Sequence, residues 1–283
     1  MNISGRAKYF FKLLISVVGL IYTVTTVILS FWSWDQIGIT GGCDKAWILF
    51  GVIPLSALLA WIILLCTNKV TVWERGNAAI VLRYGDLHSF AFPSQKKKPV
   101  QKRIVLISMN THFDTLVNNS VVSETSVHGK WIGWMKEHGI ESDELNCRIK
   151  LAALKQKLIP IRTDQKEGNI EAYQRGTIID FEYENTRFFL LALSEFDDNL
   201  NAQTNKDQVI DIVKKICDYY DKYGCGQPMF TPLIGTELSR TNMTEHESLM
   251  IMKSMFQLYS EKIHNVLNIV IYKKQRSKIS IFE

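Results

Sequence analysis

At 283 residues the chain is long enough for one sizeable core or two modest units. Its formal net charge of +5, from 33 basic and 28 acidic residues, is too mild a surplus to argue for nucleic acid as a partner. The five cysteines form no C-x-x-C pair and have no histidine at zinc spacing, so no metal site is expected.

In chain order the first signal is apolar. Leu13 to Trp34 and Ala46 to Thr67 are two runs of 22 residues, each without Asp, Glu, Lys, Arg or His. At about 1.5 Å per helical residue, each is long enough to cross a hydrocarbon core of about 30 Å. The expectation is a transmembrane hairpin over residues 1–68, with spans at about 10–34 and 46–67. The first run is too long for a cleaved signal, and no A-x-A pattern follows it. Arg6, Lys8 and Lys12 precede the hairpin and Lys69 and Arg75 follow it, whereas the connecting loop holds Asp35, Asp44 and only Lys45. By the positive-inside rule, both chain ends are then cytoplasmic. Cys147, Cys217 and Cys225 lie on that side as free thiols, Cys66 closes the second span, and Cys43 stands alone in the outer loop.

Within the first span Ser16, Gly19, Thr23, Thr26, Ser30 and Ser33 recur at steps of three and four, placing small and hydroxylated residues on one helix face. Such a face packs against the second span of the same hairpin, or forms a seam between copies or the wet wall of a pore. In the second span Pro54 is expected to kink the helix, and Ser56 with Ala60 offers a small-xxx-small contact.

Residues 69–283 alternate strand-like and helix-like segments, the mark of an α/β domain. Strands are expected at Val70–Trp73, Ala79–Arg83 and Arg103–Ser108, and two more across 176–196 joined at Glu184-Asn185. Ser142–Leu158 reads as a helix with Leu145, Ile149, Ala152 and Leu158 on its core face. Lys206–Tyr223 is a second helix, burying Val209, Val213, Ile216 and Tyr220 and closed by Gly224. A strand at Met229–Ile234 follows. Thr244 to Glu247 has the capping-box pattern, opening a helix striped with Leu249, Met252, Phe256, Tyr259 and Ile263. Val266–Tyr272 and Lys278–Phe282 close the chain as strands. The basic run SQKKKPVQKR at 94–103 is a solvated loop or a contact for anionic lipid headgroups.

Three segments at strand ends stand where ligands of α/β sheets bind. They are Gly85-Asp86-Leu87, then Asn110 to Thr115 followed by Ser126-Val-His-Gly129, and PLIGTE at 232–237. A carboxylate such as Asp86 can accept the adenine amino group, and glycine and threonine at 235–236 let a diphosphate approach backbone N–H groups. Asp86 is equally at home as a turn residue, and the 234–238 loop as a tight strand-to-helix connection.

In this order the segments resemble a macro domain, the fold that binds ADP-ribose and its relatives. Behind two spans, with N-x-x-F-D-T and S-x-H-G segments, they are similar to the membrane-anchored effectors of bacterial Thoeris type II anti-phage systems. The resemblance implies a mixed central sheet between helices, over 69–283, in a multi-pass protein of the bacterial inner membrane. It implies an ADP-ribose-derived ligand, the histidine conjugate, made from NAD by a partner TIR-domain enzyme. The ligand would contact Asp86, Asn110, Ser126, His128, Gly129, Ile234, Gly235, Thr236, Glu237 and Leu238. Binding would drive homo-oligomer assembly, with Ser16, Gly19, Thr23, Thr26 and Ser30 as the membrane seam, and disrupt the bilayer of the infected cell. Phe113 stands where hydrolytic macro domains carry a second asparagine, and Glu237 where they carry glycine, so no catalytic residue and no cofactor are expected. The competing reading is a membrane-anchored ADP-ribose reader or ADP-ribosyl hydrolase.

Overall fold

The computed structural model describes residues 5–93, 101–164, 167–196, 202–203, 205–236 and 243–282. The chain divides into two compact units, Met1–Val70 with Ser280–Glu283, and Thr71–Ile279.

The first unit is a helical hairpin of α1 (Gly5–Phe31) and α2 (Gly42–Cys66), both long and apolar enough to cross a membrane. The face of α1 that is half-buried carries Leu14, Val18, Ile21, Thr25 and Leu29. Ser16, Gly19, Thr23, Thr26 and Ser30 are all exposed, so the small-residue stripe does not pack against α2. Its hydroxyls are satisfied within the helix: Ser16 donates to the carbonyl of Lys12, Thr23 to Gly19, Thr26 to Tyr22 and Ser30 to Val27. That leaves an exposed face whose hydroxyls are hydrogen-bonded within their own helix. On α2, which contains Pro54, Ser56 and Ala60 are fully buried. The ring of Phe282 lies 4.8 Å from that of Tyr9 at the start of α1.

The second unit is built on an eight-stranded sheet. Its strands are β1 (Lys69–Arg75), β2 (Ala78–Gly85), β3 (Arg103–Asn110), β6 (Ile178–Tyr183), β7 (Thr186–Phe196), β8 (Ala202–Gln203), β9 (Met229–Pro232) and β10 (Val266–Tyr272). A separate two-stranded ladder pairs β4 (Arg162–Thr163) with β5 (Glu171–Ala172). The main order is β1-β2-β10-β9-β3-β7-β6, with β8 on β7. The four central pairings, β2/β10, β10/β9, β9/β3 and β3/β7, are parallel, and β6/β7 is the antiparallel hairpin expected around Glu184-Asn185. The sheet is thus mixed.

Alternation along β3 sends Val105, Ile107 and Met109 to one face. There they join Trp131, Ile132 and Met135 of α4 (Val127–Glu137), Leu145 and Ile149 of α5 (Ser142–Lys155), and Leu87 and Ala91 of α3 (Leu87–Ala91). Ala153 is the fully packed alanine of α5, while Ala152 and Leu158, the latter beyond the helix end, lie half-buried against the same core. The opposite face meets α6 (Lys206–Tyr223), whose Tyr219 ring lies 5.0 Å from Phe189. Alongside runs α7 (Glu245–Leu258), opened by the capping box of Thr244 and Glu247. Tyr259 caps α7 and Ile263 lies beyond it, buried.

Two expectations are corrected. Lys278–Phe282 is no strand: Lys273–Gln275 forms a short 3-10 turn, and an irregular tail follows. Its alternation records burial of Ile279 and Ile281 without a partner strand. The strand expected through Ile234 stops at Pro232. Most of the basic run, residues 94–100, lies outside the described residues.

Candidate functional site

Parallel strands leave their C-terminal ends on one edge of the sheet, with the loops that follow gathered above it. At that edge, above β2, β10 and β9, is a cleft of about 200 Å³. Gly85, Asp86 and Leu87 after β2 form one side, and Val270, Tyr272 and Gln275 at the end of β10 form the floor. Pro232, Leu233 and Thr236 follow β9, and Thr125, Val127, Lys130 and Trp134 come from α4 and the residue before its cap.

Asp86 has the local capping role open to a polar residue after Gly85, and it also lines the cleft. It is the N-cap of α3, accepting from the His88 N–H at 3.1 Å, and it is exposed at the cleft. The two helices that flank it are held by rings: His88 lies 5.2 Å from Trp134, and Phe92 stacks on His138 at 4.0 Å.

Ser126 caps α4 rather than facing the cleft. Its hydroxyl accepts from the Gly129 N–H at 2.9 Å and donates to the Ser123 carbonyl at 2.6 Å. Gly129 lies so close to the preceding loop that a Cβ would stand 2.2 Å from the Ser123 carbonyl oxygen. This tight entry brings the first turn of α4, with the partial positive charge of its free N–H groups, to the cleft.

His128 and Asn110 do not line the cleft; they hold its wall in place. His128 is buried and its Nε2–H donates to the Asp114 carbonyl at 2.7 Å. Asn110 Oδ1 accepts from the N–H groups of His112 and Asp114, and its Nδ2 donates to the Asp114 carboxylate at 3.0 Å. The other Asp114 oxygen accepts from the Asn169 N–H at 2.6 Å. The N-x-x-F-D-T segment is therefore a lock on the β3–α4 connection. Phe113, with φ of 50°, is buried in it.

Burial pushes His128 down to about 4, against the smaller opposing effect of the Asp114 hydrogen bond. The imidazole is neutral in the fold while the unfolded chain takes up a proton below its ordinary value near 6.5. Stability is consequently full above about pH 6.5 and lost as the pH falls toward 4, at roughly 1 kcal/mol per pH unit. Urea unfolding across pH 4–7 should show this slope in the wild type and a shallower one in His128→Gln.

In the 234–236 loop Ile234 is fully buried behind the cleft, and its carbonyl accepts from Ser248 Oγ at 2.7 Å. Gly235 has φ of 79°, in the left-handed region that favours glycine. Thr236 reaches the cleft. Glu237 and Leu238 lie outside the described residues.

The cleft also contains residues that motif reading did not single out: Thr125, Lys130, Trp134, Tyr272 and Gln275. The spacing of Val127, Lys130 and Trp134, three and then four apart, was the available sign of one helix face. The Lys130 ammonium lies 5.6 Å from the centroid of the Tyr272 ring. Among the described residues no group of three or more His, Cys, Asp and Glu could hold a metal ion.

A family model described as "Thoeris protein ThsA, Macro domain" matches residues 80–272, more than half of the chain. The Thoeris protein ThsA of Bacillus amyloliquefaciens (strain Y2) is 24% identical over 247 residues, covering 83% of this chain and 76% of that protein. Among solved structures, an Oceanobacillus iheyensis macrodomain mutant with ADPR aligns over 76% of this chain and 94% of its own, at 11% identity and a TM-score of 0.47. A Bacteroides thetaiotaomicron protein of unknown function aligns over 69% of this chain and 100% of its own, at 11% identity and a TM-score of 0.39.

Proposed function

The chain belongs to the family of Thoeris protein ThsA macro domains, and from that premise we propose that its cleft receives an ADP-ribose-derived signal. The observation that carries this is the convergence of Asp86, Thr236 and the first turn of α4 on one cleft at the ends of β2, β9 and β10. Asp86 offers a carboxylate to the adenine amino group, since its capping bond uses one oxygen. The α4 N-terminus offers an electrostatic preference for a diphosphate, and the absence of a side chain at Gly235 lets it approach the turn closely. Asn110, Ser126, His128 and Gly129 act by holding that wall, and 69–283 is the nucleotide-binding domain.

The ligand is a histidine–ADP-ribose conjugate made from NAD by a TIR-domain partner. Its binding favours an assembled state of the chain by differential affinity. The hairpin lies in the inner membrane of the bacterium with both chain ends in the cytoplasm. The exposed stripe from Ser16 to Ser30 aligns between copies, and the assembly breaches the bilayer, ending in death or arrest of the infected cell. The cleft reads its ligand without hydrolysing it.

Titration of the full chain in detergent with ADP-ribose and with its histidine conjugate tests this. The expected result is a raised unfolding temperature with the ligand recovered intact by chromatography. Turnover of the ligand would establish the hydrolase instead, and no shift with either compound would remove the nucleotide reading. Asp86→Ala should bind about tenfold or more weakly with an unchanged fold, the loss of one hydrogen bond to a charged group. Unchanged affinity would take Asp86 out of the site.

A further inference from the structure

Lys130 is the one cation among the described residues that line the cleft. It sits in the first turn of α4 and is exposed, on the face shared with Val127 and Trp134. Its ammonium rests 5.6 Å from the Tyr272 ring centroid, and Lys274 approaches the same ring at 6.0 Å. Among the described residues Lys130 pairs with no carboxylate and lies over the Tyr272 ring instead. The one carboxylate of the described lining, Asp86, is turned to the His88 N–H as the α3 cap. A solvated ammonium over a ring face is weakly held. An anion brought into this half-enclosed cleft would meet it in surroundings less screened than bulk water, beside a helix N-terminus of the same sign.

We propose that Lys130 is the charge-reading residue of the cleft. Its ammonium leaves the Tyr272 ring to pair with an anionic group of the bound nucleotide, and so selects phosphorylated adenine ligands over neutral adenosine. This rests on the nucleotide reading of the same cleft. The anionic group is the diphosphate or, in an amino-acid conjugate, the added carboxylate, and both present the same chemistry to an ammonium.

The test is calorimetric titration of the full chain in detergent, at two salt concentrations, with adenosine, ADP-ribose and histidine–ADP-ribose. Lys130→Gln should weaken ADP-ribose about tenfold or more, leave adenosine unchanged, and flatten the salt dependence. Lys130→Arg should restore most of the loss. A loss confined to the conjugate would support the same role directed at its carboxylate. Lys130→Gln binding ADP-ribose and the conjugate as tightly as the wild type would overturn the assignment, as would an equal loss for adenosine. A wild type that binds none of the three compounds would bring down the nucleotide reading itself, before any variant is compared.

Discussion

Gly129→Ala should lower the stability of the fold by about 2–3 kcal/mol, the upper range for forcing an atom into packed surroundings. The added Cβ would lie 2.2 Å from the Ser123 carbonyl oxygen and 2.9 Å from both the Ser123 carbonyl carbon and the Glu124 Cα. All three are main-chain atoms, so no side chain can swing aside to relieve the clash. Either the 123–126 segment shifts or α4 does, and each carries cleft-lining residues, Thr125 in the first case and Val127, Lys130 and Trp134 in the second. In a domain of this size the expected fall in unfolding temperature is about 5–10 °C, accompanied by weaker ligand binding. Gly133→Ala on the same helix is the control. Nothing lies within 4 Å of a Cβ there, and it should gain up to about 1 kcal/mol from helix propensity. Equal unfolding temperatures for the two variants would show that the close approach at Gly129 has no energetic weight.

Asp114→Ala is expected to cost about 3 kcal/mol or more. The carboxylate is fully buried, and its loss would strand the Asn169 N–H and the Asn110 side-chain amide. Each buried donor left without a partner costs about 1–3 kcal/mol. Asp114→Asn should fall between. It can still accept from Asn169, but its own amide would face the amide of Asn110. Asn110 cannot turn over to help, since its oxygen holds the N–H groups of His112 and Asp114. Because the Asp114 carbonyl also receives His128, loosening this loop should weaken ligand binding through α4 although Asp114 does not line the cleft. Urea unfolding and ligand titration of both variants would check the order wild type, Asn, Ala. An alanine variant as stable as the wild type would show that the buried carboxylate is no lock.

Both predictions concern residues whose roles the sequence expressed only in part. Asn110 and His128 stand at strand and helix ends, where a polar side chain either meets a ligand or satisfies loose backbone groups. Spacing does not separate the two, and burial decided for the second. The α4 helix was hidden because Gly129 and Gly133 weaken its helical signature. Lys130 and Tyr272 belong to the cleft only because α4 and the end of β10 meet there, a relation between segments more than a hundred residues apart. By contrast, the Thr244 capping box, the hairpin at Glu184-Asn185 and the Lys206–Tyr223 helix rest on contacts a few residues apart, and they were legible at once. The strand expected at Lys278–Phe282 is absent because the alternation of Ile279 and Ile281 reflects burial, and a period of two carries no information about hydrogen-bond partners.

The contact of Phe282 with Tyr9 has a topological consequence. The chain passes along α1 and α2 before it enters the sheet, and its final described residues come back to the beginning of α1. In a bilayer an odd number of crossings would put those two rings on opposite sides, about 30 Å apart. Rings 4.8 Å apart fit a hairpin whose two ends lie on one side. The Tyr9–Phe282 pair thus ties the last described residues of the chain to the start of its first helix.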